Sequence, residues 1–252
     1  MTLQKNKESN NVSKMNSKNI VRKNMGSWFL KNPDLWTNPL SVYSIYRGLT
    51  KKFRILPDFI IIGAAKCGTT SLYDYLIQHK NVLPALWKEL YFFDRYYPRG
   101  IDWYRANFCF KSTKFFKEIF HHSSYITGES TPTYIHHPLA ANRIHKTIPN
   151  TKIIVLLRNP IDRAYSQYNM EKKLGYETLS FTEALKMEDQ RLLGEKEKMV
   201  NDENYFSYNW ETFSYLKGGH YAEFLKKWFE YFPKENILIL KTEDFNENPS
   251  KI

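Results

Sequence analysis

From Gly63 to Thr70 the chain reads Gly-Ala-Ala-Lys-Cys-Gly-Thr-Thr, which brings one cation, two glycines and two hydroxyls into a single short stretch. Such a set can hold an anion, provided the flanking elements aim it. Phe59 to Ile62, just before it, is an aromatic and β-branched run of the kind that forms a buried strand. After it, Leu72, Tyr75, Leu76 and His79 recur at helical spacing. A strand, a glycine turn and a helix N-terminus point free backbone N–H groups and the positive end of the helix dipole at one place. Lys66 adds a full charge there, and Gly68, Thr69 and Thr70 add backbone and hydroxyl donors. The chemistry this predicts is the holding of a phosphate-type group.

The loop departs from the Walker A pattern, in which the lysine directly precedes the Ser/Thr and follows the second glycine. Here Lys66 comes before Gly68. A Mg²⁺-dependent nucleotide enzyme also needs an acid at the end of a neighbouring strand. The apolar run Lys152 to Leu157 (KIIVLL) is the best candidate strand, and it ends in Arg158. In a parallel sheet the carboxyl ends of the strands share the rim that carries the glycine loop. Two cations on that rim, Lys66 and Arg158, suggest two anionic groups on one ligand. A nucleotide with phosphates at both ends of its ribose fits this better than ATP does, and no metal is expected.

The elements that must position these groups alternate. Tyr125 to Tyr134 reads as a short strand turning into a loop at Gly128. Pro138 to Ile148, Pro160 to about Leu174, Ser180 to Met199 and Tyr221 to Phe232 read as helices. The second of these starts is well marked: Asn159 is a good N-cap and Pro160 a good first residue. Asn236 to Lys241 (NILILK) is a further buried strand, and such near-continuous apolar runs belong to parallel sheets. The order predicts an α/β domain, a parallel sheet covered by helices. In Tyr221 to Phe232 the residues Tyr221, Phe224, Leu225, Trp228 and Phe229 share one face, so Tyr221 reads as core rather than as a ligand contact.

The 252 residues suit one such domain with extensions. No run approaches the roughly 18 apolar residues that span a bilayer, and the polar start has no secretory h-region. A cytoplasmic protein is the resulting expectation. The formal charge of +11 is lopsided: residues 1–54 hold 11 Lys/Arg against 2 Asp/Glu, leaving 26 against 24 for the rest. The globular part is thus nearly neutral, and nucleic-acid binding is not expected. Residues 1–26 read as a disordered basic tail and 27–56 as an aromatic-rich extension with a short helix near Ser41 to Leu49. Cys67 and Cys109 form no metal or redox spacing. Cys67 reads as a small loop filler, since no histidine is placed by sequence to activate it. The pairs His121-His122 and His136-His137 lack zinc-site spacing and read as surface residues.

Four stretches in order carry a family resemblance. GAAKCGTTSL resembles the 5′-phosphosulfate loop of sulfotransferases that use 3′-phosphoadenosine 5′-phosphosulfate (PAPS), and LLRNPIDRAYSQY resembles their 3′-phosphate motif. KELYFFD and GESTPTY are similar to elements of the glycan-modifying, heparan sulfate branch. The match runs from about Pro57 to Pro249 and implies a P-loop nucleoside triphosphate hydrolase-like fold over residues 57–252. It implies that Lys66, with Gly68, Thr69 and Thr70, binds the 5′-phosphosulfate and that Lys66 stabilises the leaving oxygen. By the same resemblance Arg158 and Ser166 bind the 3′-phosphate, and Glu89 is the base that deprotonates the acceptor. The acceptor would be a hydroxyl compound, a glycan or a small molecule. Lys88 either orients the sulfuryl group or faces solvent. Glu129 either positions Lys66 or the acceptor, or is a buried structural carboxylate.

The chain stops just after NILILK, where relatives continue into a basic loop that closes over PAPS. A domain lacking its C-terminal end, without a helix to cap the last strand, is the expectation. Two rivals stay open beside the sulfotransferase: a small-molecule P-loop kinase, and a non-catalytic remnant of a sulfotransferase.

Overall fold

The computed structural model describes residues 42–248. The expectations for 1–26, for the aromatic positions of 27–41 and for 249–252 lie outside the described residues. The chain divides into two units, Met1–Lys51 and Lys52–Ile252. In the first, helix α1 (Val42–Thr50) stands where a short helix was expected.

In the second unit β1 (Phe59–Gly63), β2 (Val82–Pro84), β3 (Ile126–Ser130), β4 (Lys152–Leu157) and β5 (Ile237–Lys241) form one sheet of order β2-β3-β1-β4-β5. Every pairing is parallel. The helices that flank the sheet are α2 (Thr69–Leu76), α3 (Ile101–Arg105), α4 (Lys111–His121), α5 (Ala140–Thr147), α6 (Pro160–Leu174), α7 (Phe181–Leu192), α8 (Glu195–Asn201), α9 (Tyr208–Phe213), α10 (Tyr221–Tyr231) and α11 (Thr242–Glu247). This is the expected α/β class. From β1 the chain goes out toward β2 and returns to β3, whereas from β4 it continues to β5 on the other side. The order therefore reverses between β1 and β4, and a crevice opens beyond the carboxyl ends of those two strands. Lys66 and Arg158 follow those two strand ends.

The sequence explains the centre of the sheet. Ile60, Ile61 and Ile62 are fully buried, as are Val155 and Leu156 of β4. Each such side chain contributes about 1.5–3 kcal/mol relative to exposure. In α10, Phe224 and Trp228 are buried and the Trp228 indole N–H donates to the Ile135 carbonyl at 3.0 Å. Phe229 of the predicted stripe is exposed.

Four elements differ from expectation. Gly128 is no turn: β3 runs through it to Ser130, and Gly128 pairs with Phe59 of β1. A side chain there would strike the Phe59 ring, which is why a glycine stands inside a strand. The helix expected from Ser180 to Met199 begins as predicted, with a Ser180–Glu183 capping box, but breaks after Leu192. Gly194, at φ 75°, turns the chain into α8. β2 is a short strand that the sequence reading passed over, since Val82–Pro84 offers only three residues of pattern. Finally, β5 is followed by a helix, α11, whose Thr242 hydroxyl bonds the carbonyls of Cys67 and Leu157 at 2.7 and 2.9 Å. Among the described residues no helix is long and apolar enough to cross a membrane.

Candidate active site

The loop after β1 is held by its carbonyls. Thr242 bonds the Cys67 carbonyl, the Arg158 Nη1 donates to that of Lys66 at 3.5 Å, and the Cys67 N–H closes on that of Ala64 at 3.2 Å. Gly68 then takes up φ 89° and starts α2 with no side-chain cap. A helix start left without a cap presents its first N–H groups to whatever lies in front. In front lies a cavity of about 480 Å³, lined on this side by Ala64, Ala65, Lys66, Gly68, Thr69 and Thr70. The Lys66 ammonium sits 3.3 Å from the Met170 thioether sulfur and has no carboxylate within ion-pair reach among the described residues. An uncapped helix start beside an unpaired cation is a donor set that suits a phosphate or sulfate.

Opposite the loop, Glu89 and Tyr91 line the same cavity. Their segment follows β2 and is fixed from below by β3. The Glu89 N–H donates to the Ser130 carbonyl at 2.9 Å, and Glu89 and Tyr91 both take positive φ, 65° and 50°. Conformations of this kind, also adopted by Lys66 at φ 68°, are disfavoured for side-chain-bearing residues and persist where neighbours enforce them. The Tyr91 hydroxyl donates to Glu89 Oε2 at 2.5 Å, and Lys88 pairs with the other oxygen, Oε1. Lys88 is thus engaged by Glu89.

Glu129 resolves into the structural of its two readings. It is fully buried and accepts from Tyr104 and Thr131 at 2.7 Å and from Tyr134 at 3.2 Å. Thr131 Oγ1 in turn accepts the Tyr91 N–H at 3.4 Å, and Tyr134 Oη accepts the Phe92 N–H at 2.8 Å. Through two hydroxyls, then, one buried carboxyl orders the segment that carries Glu89. Burial pushes its pKa up to about 7, against the hydrogen bonds, which pull it down.

The third wall is one face of α6. Arg163, Ser166, Gln167, Met170 and Glu171 all line the cavity, and their spacing of three and one along the helix puts them on a single stripe. Arg163 is buried and donates to Gln167 at 2.7 Å and to the carbonyls of Ser214 (2.9 Å) and Tyr215. Lys66, Gly68, Thr69, Thr70, Glu89 and Ser166 therefore meet in one cavity. Arg158 is half-buried against the loop carbonyl and is not among the lining residues.

Other residues fall differently from the reading of the sequence. His136 and His137 are not surface residues; both are half-buried, and His136 lines the cavity. Burial, with Arg163 and Lys196 near His136 and Arg143 near His137, pushes both imidazoles down to about 3, so they are neutral near pH 7. His121 and His122 are exposed, as expected. Cys67 is fully buried and burial raises its thiol pKa, which fits the loop filler. Tyr221 is only half-buried and its hydroxyl stands 3.7 Å from Cys67 Sγ, so it touches the loop. Arg163, Gln167 and Glu171 were missed, though the stripe through Ser166 could have found them. Glu211 also lines the cavity, and no local pattern around it points there.

Residues 56–252 match the sulfotransferase domain family. The chain belongs to the sulfotransferase family. It is 34% identical over 202 residues to the heparan sulfate glucosamine 3-O-sulfotransferase 6 of Homo sapiens, covering 78% of this chain and 50% of that protein. To the bifunctional heparan sulfate N-deacetylase/N-sulfotransferase 1 of Caenorhabditis briggsae it is 28% identical, over 89% of this chain and 26% of the relative. A solved sulfotransferase from Alicyclobacillus acidocaldarius superposes with a TM-score of 0.58 at 30% identity, covering 78% of this chain and 77% of its own. The chain spans a quarter to a half of the length of these two heparan sulfate relatives. The family and the P-loop-like sulfotransferase fold expected from the four motifs are thereby shown.

Proposed function

We propose that this sulfotransferase moves a sulfuryl group from PAPS to a carbohydrate hydroxyl. One observation carries the reading: an uncapped helix start with an unpaired lysine faces a carboxylate, Glu89, across a single cavity. The donor set, backbone N–H groups with one ammonium, suits the phosphosulfate. PAPS supplies the activated sulfuryl group; the rest is done by this chain. Lys66 and the N–H groups of Gly68, Thr69 and Thr70 bind the 5′ end and stabilise charge on the departing phosphate oxygen. Arg158 and Ser166 bind the 3′-phosphate. Glu89, held by Tyr91 and Lys88, accepts the hydroxyl proton as the acceptor oxygen bonds to sulfur and the sulfur–phosphate oxygen bond breaks in line. The acceptor class rests on the heparan sulfate relatives and on the KELYFFD and GESTPTY segments.

The test is Glu89→Gln, assayed with labelled PAPS against a panel of glycan acceptors and by calorimetry with 3′-phosphoadenosine 5′-phosphate (PAP). Loss of about 100-fold or more in transfer, with PAP affinity kept within about twofold, is expected for removal of a general base. Full transfer by the variant would remove Glu89 from that role. Mg²⁺-ATP turnover by the wild type would favour the kinase instead, and PAP binding without transfer to any acceptor would favour the remnant.

A further inference from the structure

The charges in the cavity are unequal. Its lining cations are Lys66, on the donor loop, and Arg163, whose terminal nitrogens are already spent on Gln167 and two carbonyls. Its lining anions are Glu89 and Glu211, and Glu171 on α6 beside the Met170 that touches Lys66. Lys88 and Arg95, which pair with Glu89 and Glu211, are not lining residues, so the cavity meets the carboxylates and not their partners. His136 in the same wall is neutral. Glu171 differs from the other two. It is only 5% exposed and lines the cavity, yet its side chain has no hydrogen-bond or ion-pair partner among the described residues. Its oxygens are not among the fully enclosed unpartnered atoms, so they open into the cavity, where a ligand hydroxyl or ammonium can take the place of water.

Building on the proposed sulfuryl transfer, we infer that the acceptor presents an uncharged or cationic face to this subsite and that Glu171 holds it by accepting a hydrogen bond from a hydroxyl or ammonium group. An acceptor dense in sulfate or carboxylate groups would bring like charge against three carboxylates, and the one unpaired cation among the described lining residues, Lys66, is committed to the donor. The subsite is thus unlike one built for a polyanion. Burial and the charge of Glu211 push Glu171 up to about 7, with Lys66 opposing, so the lone carboxyl also stays adaptable near neutral pH.

The full chain, saturated with PAP, is titrated calorimetrically with three hexasaccharides: glucosamine (cationic), N-acetylglucosamine (neutral) and heparin (polyanionic). The cationic or the neutral hexamer is expected to bind at least about tenfold more tightly than heparin. Glu171→Gln should cut that preference by about tenfold while Glu171→Asp keeps most of it, and PAP affinity should stay within about twofold in both. The comparison with Glu171→Gln isolates the cavity from any heparin bound by the basic stretch 1–54. Heparin binding as tight as the others, binding of neither uncharged nor cationic hexamer, or a preference that survives Glu171→Gln would each overturn the inference while leaving the donor site intact. Failure of the wild type to bind PAP would overturn the proposed function, and this inference with it.

Discussion

Gly128→Ala tests the packing that underlies the site. Gly128 lies in β3 opposite Phe59, the first residue of the strand that leads into the anion loop. A Cβ on Gly128 would fall 2.5 Å from Phe59 Cδ2 and closer still to Cε2 and Cζ. Carbon atoms in contact prefer about 3.5–4.0 Å, so the overlap is about 1 Å across half the ring. The Phe59 ring is buried, and both backbones are fixed by the ladder of a central strand pair. The Gly128 carbonyl also accepts the Tyr73 hydroxyl at 3.2 Å, which in turn accepts the Ala85 N–H at 2.9 Å, so a shift of β3 would disturb that link as well. Overpacking of this kind costs about 1–3 kcal/mol, and the rigid surroundings put Gly128→Ala near 3 kcal/mol. For a chain of this size that lowers Tm by about 6–12 °C. Urea and thermal unfolding of Gly128→Ala, of Phe59→Leu and of the double variant Phe59→Leu/Gly128→Ala make the measurement. The double variant should lose at least about 1 kcal/mol less than the sum of the two single losses, a coupling only a direct clash would give. A Gly128→Ala protein within about 0.5 kcal/mol of wild type, or single losses that simply add in the double variant, would refute the reasoning.

Lys66→Ala should weaken PAP binding about 10- to 100-fold by calorimetry, the worth of one charge-assisted contact. It should leave Tm within about 2 °C, because among the described residues the ammonium makes no ion pair and touches only the Met170 sulfur. Glu129→Gln should change the pH dependence of stability. Since burial raises the folded pKa of Glu129 to about 7 from an ordinary 4.5, the folded state binds the extra proton between those values. Its contribution is therefore full below about pH 4.5 and is lost as pH rises through about 7, by about 3 kcal/mol. The wild-type-minus-variant difference in unfolding free energy, followed from pH 4.5 to 8, should fall by that amount; a flat difference would place the charge elsewhere.

The anion loop and the sheet were legible because their signals are local. Phe59–Ile62, Lys152–Leu157 and Ile237–Lys241 announce buried parallel strands, and Asn159-Pro160 marks the start of α6. What stayed hidden is set by distant partners. Gly128 looks like a turn until Phe59 is seen against it. His136 and His137 look like polar surface until α9 and α10 pack nearby, with His136 close to the rings of Trp210 and Phe224. Glu129 could not be assigned from its own segment, because its role depends on Tyr104, twenty-five positions earlier. Glu211 reaches the cavity only through the return of the chain after α8. The acceptor wall is built from such long-range placements, whereas the donor loop is one contiguous motif.

The central claim is that the cradle of Lys66 and the α2 N-terminus, with Arg158, takes a nucleotide phosphorylated at both ends of its ribose without help from a metal. Calorimetric titration of the full chain with PAP, in the presence and absence of Mg²⁺, tests it most directly. The account predicts saturable one-to-one binding that is unchanged by Mg²⁺ and at least about tenfold tighter than that of ATP, which lacks the 3′-phosphate. Binding that requires Mg²⁺, or that prefers Mg²⁺-ATP to PAP, would contradict it.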